Sequence, residues 1–300
     1  MTFVTVVLPI FFGIAAGFLL ERWRPMDERT ASTLTLYLFS PALAFWSMSN
    51  TTLTPGDITR ITAFIVLLAV ATYLMVTLTA SGGWFQKTPK SAVLVTSIFV
   101  NSGNYGLPVC LIAFGQVGFE QGVMFAMIHT ALATALAIYW ASKGRFGAGE
   151  SLRNVFKMPL IYATIGGLAV RWWGIGLPGF LTTSVKILAD AAVPMGLVTL
   201  GIQLAKLAGS NILEDLRPVG LASFIRLIAS PVLGYLLVRL LGISGLLAKV
   251  LIVQSGMPAA VMTTMLAVEF DNDPGFTART VFVTTLASLV TVSVLLALLD

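Results

Sequence analysis

The chain has 300 residues, 57% hydrophobic and only 10% charged, with a formal net charge of +5 and a mean hydropathy of +0.92. Soluble domains carry about 25% charged residues, so a water-exposed surface is excluded, and the apolar residues come in runs of about 20, long enough to cross a hydrocarbon core about 30 Å thick. The lone cysteine, Cys110, excludes an internal disulfide and a cysteine metal cluster, and the basic residues stand singly between apolar runs, as topology signals rather than a nucleic-acid-binding patch.

In chain order the runs predict ten transmembrane helices, over 2–20, 31–49, 60–80, 91–115, 121–141, 158–174, 180–205, 217–240, 246–268 and 277–299. The first run has no basic head and no small-residue cleavage site, unlike a secretory signal. Its charges follow it, at Arg22, Arg24 and Arg29, so it reads as a retained helix with its N-terminus outside. Turn chemistry separates several runs, at Thr54-Pro55-Gly56-Asp57, Gly82-Gly83 and Asp271-Asn272-Asp273-Pro274-Gly275. Asp271 and Asp273 lack the spacing and terminal Glu of a calcium loop and read as a solvated turn. In this orientation the cytoplasmic gaps hold Arg22, Arg24, Arg29, Lys87, Lys90, Lys143, Arg145, Arg153, Lys157, Lys206, Arg217 and Arg279, against Arg60, Arg171, Lys186, Arg239 and Lys249 outside. The positive-inside rule therefore places both termini outside, and a cell membrane, the inner membrane of a bacterium, is the expected location.

The most basic gap, 142–157, divides the chain into 1–141 and 158–300, five helices each. Five is odd, so the second half runs through the membrane inverted. The halves share their punctuation: Pro9 and Pro159 open early helices, Pro41 and Pro194 interrupt second helices, and Pro108 and Pro258 interrupt fourth helices. Gly118-Phe119 and Gly275-Phe276 open the fifth helices alike. The expected fold is an all-α polytopic membrane protein of two inverted five-helix repeats, a transporter signature.

The fourth helix contains Asn101-Ser102-Gly103-Asn104-Tyr105-Gly106-Leu107-Pro108 and the ninth Gln254-Ser255-Gly256-Met257-Pro258. Proline removes a donor and glycine weakens a helix, and in lipid the freed backbone groups need partners inside the protein. The two breaks are therefore expected to face each other. Each second half-helix is expected to start near its proline, with unpaired N–H groups and about half a positive charge. Two such ends at the midplane favour an anion, and Asn101, Ser102, Asn104, Gln254 and Ser255 add neutral donors and acceptors. A carboxylate-bearing substrate fits that inventory. Asn and Ser that merely bridge helices are the blander reading, weakened by two breaks in equivalent positions.

These two stretches resemble the auxin efflux carrier family, which includes plant auxin exporters and bacterial transporters of malonate and similar acids. The resemblance spans the whole chain and implies an architecture similar to that of bile acid symporters and sodium/proton antiporters. It implies a scaffold of helices 1, 2, 6 and 7, a transport domain of helices 3–5 and 8–10, and homodimers formed through the scaffold. It implies a crossover site at Asn101, Asn104, Pro108 and Pro258 with Gln254 and Ser255 as neighbours. Ser102, Tyr105, Gly106 and Gly256, within the same motifs, complete the candidate substrate-binding set. The central loop is short, unlike that of many plant members, so regulation housed there is not expected.

Three ionisable residues inside the runs are candidate counter-charge or coupling sites. Arg226, in the eighth helix, costs about 2.5–3.5 kcal/mol on insertion scales; it reads as a substrate counter-charge or as a snorkelling side chain. His129 is a candidate proton-coupling site or a neutral helix–helix hydrogen-bonder. Asp190 pairs with Lys186 at i, i+4 or forms a proton or cation site beside Pro194. The expected function is secondary transport of a small organic anion, an auxin-like or dicarboxylic acid, by an elevator-type mechanism. No cofactor and no metal are expected; sodium or protons are the candidate coupling ions, and the partners are the substrate and the lipid bilayer. A sodium-coupled symporter of bile acid type and a non-transporting sensor are the alternatives. A cation antiporter would need buried carboxylates in the broken segments, which have none. An intramembrane hydrolase would need a motif such as H-E-x-x-H or G-x-S-x-G; Ser with the lone His129 is the arrangement of that class the sequence holds, and an enzyme is not expected.

Overall fold

The computed structural model describes residues 3–82, 88–141, 159–208, 216–269 and 271–299. The expected central gap at 142–157, with Lys143, Arg145, Arg153 and Lys157, lies outside them, as does Lys87. Among the described residues the chain is helical with no strand.

The chain opens with a π-turn, Phe3–Val7, leading into α1, Leu8–Trp23, whose Pro9 sits in the first turn where a missing N–H costs little. Asp27 caps α2, Glu28–Leu34, its carboxylate accepting from the N–H groups of Arg29 and Thr30. A second π-turn, Thr35–Phe39, joins α2 to α3, Ser40–Ser49, and takes up Pro41 in the first turn of α3. A capping box of Thr54 and Asp57 starts α4, Pro55–Ser81. Next come α5, Lys90–Ile98, a π-turn at Ser102–Gly106, and α6, Leu107–Ala141, which turns a corner at Gly115 with φ of 67°. The second part holds α7, Pro159–Trp172, and α8, Gly179–Leu207. It continues with α9, Leu216–Phe224, a π-turn at Ile225–Ala229, and α10, Ser230–Leu240. The last helices are α11, Gly245–Ser255, α12, Met262–Glu269, and α13, Pro274–Leu299.

Among the described residues six stretches are long and apolar enough to cross a membrane: Thr5–Trp23, Pro55–Ala80, Ser102–Ala133, Gly179–Leu207, Leu216–Leu240 and Pro274–Leu299. The chain is thus an all-helical, multi-pass membrane protein. The expected spans 91–115 and 246–268 are divided instead, by the breaks after Ile98 and Ser255.

Three expectations change. Pro194 does not interrupt its helix: α8 continues through it, since neighbouring helices in a bundle can carry the lost hydrogen bond. Arg279, assigned to a cytoplasmic gap, is buried within α13. The turn at Asp271 and Asp273 is not wholly solvated, because Asn272 is buried and its side-chain oxygen accepts from Ser91 Oγ at 2.6 Å.

Helices α1, α3, α7 and α8 pack on one another through glycines. A Cβ on Gly17 would run into the Val198 backbone, and one on Gly201 into the α1 backbone at Ile14. One on Gly167 would meet the Phe45 carbonyl at 2.6 Å. Small residues of this kind let membrane helices approach closely. The second group packs around the two interrupted helices: α5 against α4 and α6, α11 against α6 and α10, and α9 against α13.

Candidate functional site

The backbone leaves the helix after Ile98, with Phe99 and Asn101 non-helical, and again after Ser255. The two interruptions cross antiparallel. Asn101 N–H donates to the Pro258 carbonyl at 2.8 Å, Ala260 N–H donates to the Phe99 carbonyl at 3.1 Å, and Val100 pairs with Ala259. Thr284 Oγ1, from α13, accepts from Ala259 N–H at 3.2 Å. Backbone groups freed by proline and glycine thus find partners in each other, as burial in an apolar medium requires. Helical structure resumes at Ser102, closed by Gly106 N–H to the Asn101 carbonyl at 2.9 Å, and at Met262. The positive ends of the second half-helices therefore lie at Ser102 and Met262, not at the prolines. Pro108 is buried in the first turn of α6, and Pro258 is part of the crossing itself.

A cavity of about 210 Å³ opens beside this crossing. One wall consists of Asn101, Ser102, Gly103 and Asn104 with Ala260, Val261 and Met262. The opposite wall comes from α2, its π-turn, α3 and α8, with Ser32, Thr35, Ser40, Thr199 and Gln203. No Asp, Glu, Lys or Arg is among the lining residues. The polar inventory is amide, hydroxyl, backbone and the imidazole of His129.

The structure brings together three of the predicted substrate-binding residues. Asn101 and Ser102 are buried at the cavity wall. Asn104 packs beside α8, where a Cβ on Gly196 would stand 3.2 Å from its Oδ1. The remainder lie behind the cavity. Tyr105 is fully buried, its hydroxyl accepting from Ser288 Oγ at 2.9 Å. Gly106 and Gln254 fit each other so closely that a Cβ on Gly106 would lie 2.4 Å from Gln254 Oε1. Gln254 is wholly buried; its Nε2 reaches Cys110 Sγ at 3.4 Å and its Oε1 has no hydrogen-bond partner. Ser255 Oγ donates back to the Ile252 carbonyl at 2.6 Å, and Gly256 packs on Leu295 and Pro231.

His129 lines the cavity. Its ring stacks on Phe125 at 5.5 Å and 5°, and its Nε2 lies 3.0 Å from the Ile98 carbonyl. A carbonyl only accepts, so Nε2 carries the proton in that bond. Arg226 is 1% exposed and does not snorkel: Nη1 donates to the Ser97 carbonyl at 2.6 Å and Nη2 to that of Ser255. Asp190 is exposed on α8, bonded to Lys186 at 2.6 Å, and is not part of the cavity wall. Among the described residues no cluster of three or more His, Cys, Asp or Glu suits a metal ion.

The sequence reading missed the second wall. Thr35 and Thr199 hydroxyls meet at 3.0 Å, and Gln203 Nε2 donates to Ser32 Oγ at 3.1 Å while its Oε1, buried, has no partner. The signal was present: Ser32 and Thr35, like Thr199 and Gln203, recur at one-turn spacing within apolar helices.

A multi-pass helical protein whose two broken helices cross beside a polar-walled cavity belongs to the class of membrane transporters. Residues 145–296 match the family described as membrane transport protein, and the chain belongs to that family, the one that contains the auxin efflux carriers. An uncharacterized transporter of Methanocaldococcus jannaschii is 26% identical over 301 residues, covering 96% of each chain. A putative malonate transporter of Rhizobium meliloti is 26% identical over 310 residues, covering 98% of this chain and 94% of its own. Auxin efflux carrier component 1 of Arabidopsis thaliana is 26% identical over 128 residues, 41% of this chain and 20% of the plant protein.

Proposed function

We propose that the protein is a secondary carrier of a small organic anion, a carboxylate, held at the crossing of the two broken helices. The observation behind this reading is the cavity wall. Two half-helix N-termini, at Ser102 and Met262, and the amides of Asn101 and Asn104 border a space that, among the described residues, is lined by no Asp, Glu, Lys or Arg, with His129 the one titratable side chain on its wall. Each helix start contributes about half a positive charge, so a single carboxylate is the complementary ligand. The putative malonate transporter of Rhizobium meliloti supports placing malonate first among the acids tested.

In this reading ten membrane helices form two inverted five-helix repeats. The scaffold comprises α1 to α3, α7 and α8, whose glycine-mediated packing is what a rigid unit requires. The remaining helices form a transport domain that carries the crossover past the scaffold in an elevator-type movement. The protein resides in the cell membrane with both termini outside, as a homodimer through the scaffold.

Uptake into proteoliposomes, measured for a panel of carboxylates led by malonate, with and without sodium and pH gradients, tests the proposal. Flux of at least one acid that Asn104→Ala reduces is the expected result. If no anion moves, or Asn104→Ala leaves the flux of every transported solute unchanged, the site is misassigned. Flux that requires sodium selects the sodium-coupled form of the mechanism.

A further inference from the structure

The half-helices that border the cavity with their positive ends have partners of the opposite sign close by. Helix α5 ends at Ile98 and α11 at Ser255, and a helix C-terminus carries about half a negative charge on its unpaired carbonyls. Only residues 99–101 separate the end of α5 from the positive end at Ser102, a span of about 14 Å at most. Left alone, the two negative ends would largely cancel the field that the positive ends project into the cavity.

One side chain serves both. Arg226 sits in the π-turn Ile225–Ala229, and its guanidinium donates to the carbonyls of Ser97 and Ser255, at the C-termini of α5 and α11. Among the described residues it makes no salt bridge, although it is 1% exposed. Among the described residues its charge is therefore met by those two helix ends. Two half charges of one sign meet one full charge of the other. π-turns recur where a helix must re-aim a functional side chain, and this one lies at Arg226.

We infer that Arg226 is a positioning residue of the carrier: it cancels both negative helix ends, so that the crossover presents a net positive field to the cavity. The inference rests on the anion-carrier reading for its purpose. It does not make Arg226 a substrate ligand, since the residue does not line the cavity.

A thiol reporter tests it without knowledge of the substrate. Gly103 lines the cavity, is exposed, and has open space where a Cβ would project, whereas the native Cys110 is wholly buried and silent to water-borne reagents. Gly103→Cys in the otherwise intact chain, in lipid nanodiscs, gives an apparent pKa from the pH dependence of its alkylation by iodoacetamide. One charge on the order of 15 Å away, through an effective dielectric of about 20, changes thiolate population roughly sixfold, or about 0.8 pH unit. Arg226→Gln is expected to raise the apparent pKa by that amount and Arg226→Lys to leave it within about 0.3 unit of the parent.

No rise with Arg226→Gln overturns the inference. So does an equal rise with both variants, since the shape of the guanidinium rather than its charge would then be at work. If Arg226→Gln fails to fold while Arg226→Lys folds, the requirement for charge at the two helix ends is upheld; if neither folds, it is overturned. The companion malonate flux assay separates the two proposals. A thiol shift without transport of any carboxylate sinks the carrier reading alone, and transport without a shift sinks this one alone.

Discussion

Replacing Gln254 by Met should stabilise the protein. Gln254 is wholly buried between α6 and α11, with Gly106 and Gly122 pressed against its amide. Among the described residues its Nε2 has only the weak acceptor Cys110 Sγ, at 3.4 Å, and its Oε1 has no partner. Turning the amide over would exchange an unmet carbonyl for an unmet NH2 group. A buried unsatisfied polar atom costs about 1–3 kcal/mol. Met is unbranched, of similar length, and fills irregular space, so Gln254→Met opens no cavity and removes that cost at the loss of one weak N–H···S contact. The net gain is about 1–2 kcal/mol. For a chain of this length, unfolding entropy of about 2.1 cal/mol/K per residue converts it to a rise of about 2–3 °C in the denaturation temperature. Thermal unfolding in detergent, followed by loss of the monodisperse peak, measures it. A fall of several degrees would refute the reasoning, because the amide would then have a hydrogen-bonding role that its surroundings do not account for. Malonate flux in the same variant adds a second answer. If flux survives, the amide is structural; if stability rises while flux is lost, the amide is kept for a contact made in another conformation.

Asn104→Ala should weaken the transported acid about ten- to a hundredfold, the loss of a hydrogen bond to a charged group worth about 1.5–3 kcal/mol, with no change in denaturation temperature; concentration-dependent uptake reads it. Gly201→Ala should destabilise by about 1–3 kcal/mol or more, because the added Cβ meets the α1 backbone rather than a movable side chain; a denaturation temperature equal to the parent's would show that α1 and α8 are not in close contact. At the exposed cap of α2, hydrogen bonds from Thr30 and the Arg29 N–H hold the Asp27 carboxyl below its ordinary value. The cap is then fully effective above the unfolded value of about 3.9 and is lost as pH falls through the lower folded value. Amide exchange in the first turn of α2 should accelerate in that acid window, and Asp27→Ala should remove the pH dependence there.

The helices were legible because lipid leaves the backbone almost no alternative, so an apolar run long enough to span is a helix. The two breaks were legible because Pro and Gly at mid-span disfavour a continuous one. What each residue of a broken motif does was not. Within 101–108 the backbone passes from non-helical Asn101 through a π-turn into α6, and along it Asn101, Ser102 and Asn104 reach the cavity while Tyr105, Gly106 and Pro108 turn away into the packing. Spacing from a proline does not reveal which side faces the ligand. Pro194 was misjudged for a related reason: whether a proline breaks a helix depends on its neighbours, and α8 runs straight through. Arg226 read as a snorkelling or substrate-facing charge because its true partners are carbonyls 129 and 29 residues away in sequence. Hydroxyl pairs such as Thr35 with Thr199 are equally distant in sequence, 164 residues apart.

A cavity that offers two half charges and neutral amides sets a limit on what it can hold. A carrier must release its ligand after crossing, and a lysine or arginine facing the cavity would hold an anion more tightly than dipoles do. Among the described residues no lysine or arginine lines the wall, which suits a ligand of one negative charge. A dicarboxylate that enters with both groups ionised leaves its second charge in a space without a counter-charge, a cost of several kcal/mol in a poorly solvated site. If the protein carries such an acid as proposed, the acid is expected to cross singly protonated or together with a cation. Malonate flux at fixed total concentration should rise as the pH is lowered through its second ionisation. A monocarboxylate of similar size should show no rise over the same range. Malonate flux that is independent of both pH and sodium would mean that the site accepts two charges, and the half-charge accounting at Ser102 and Met262 would be wrong.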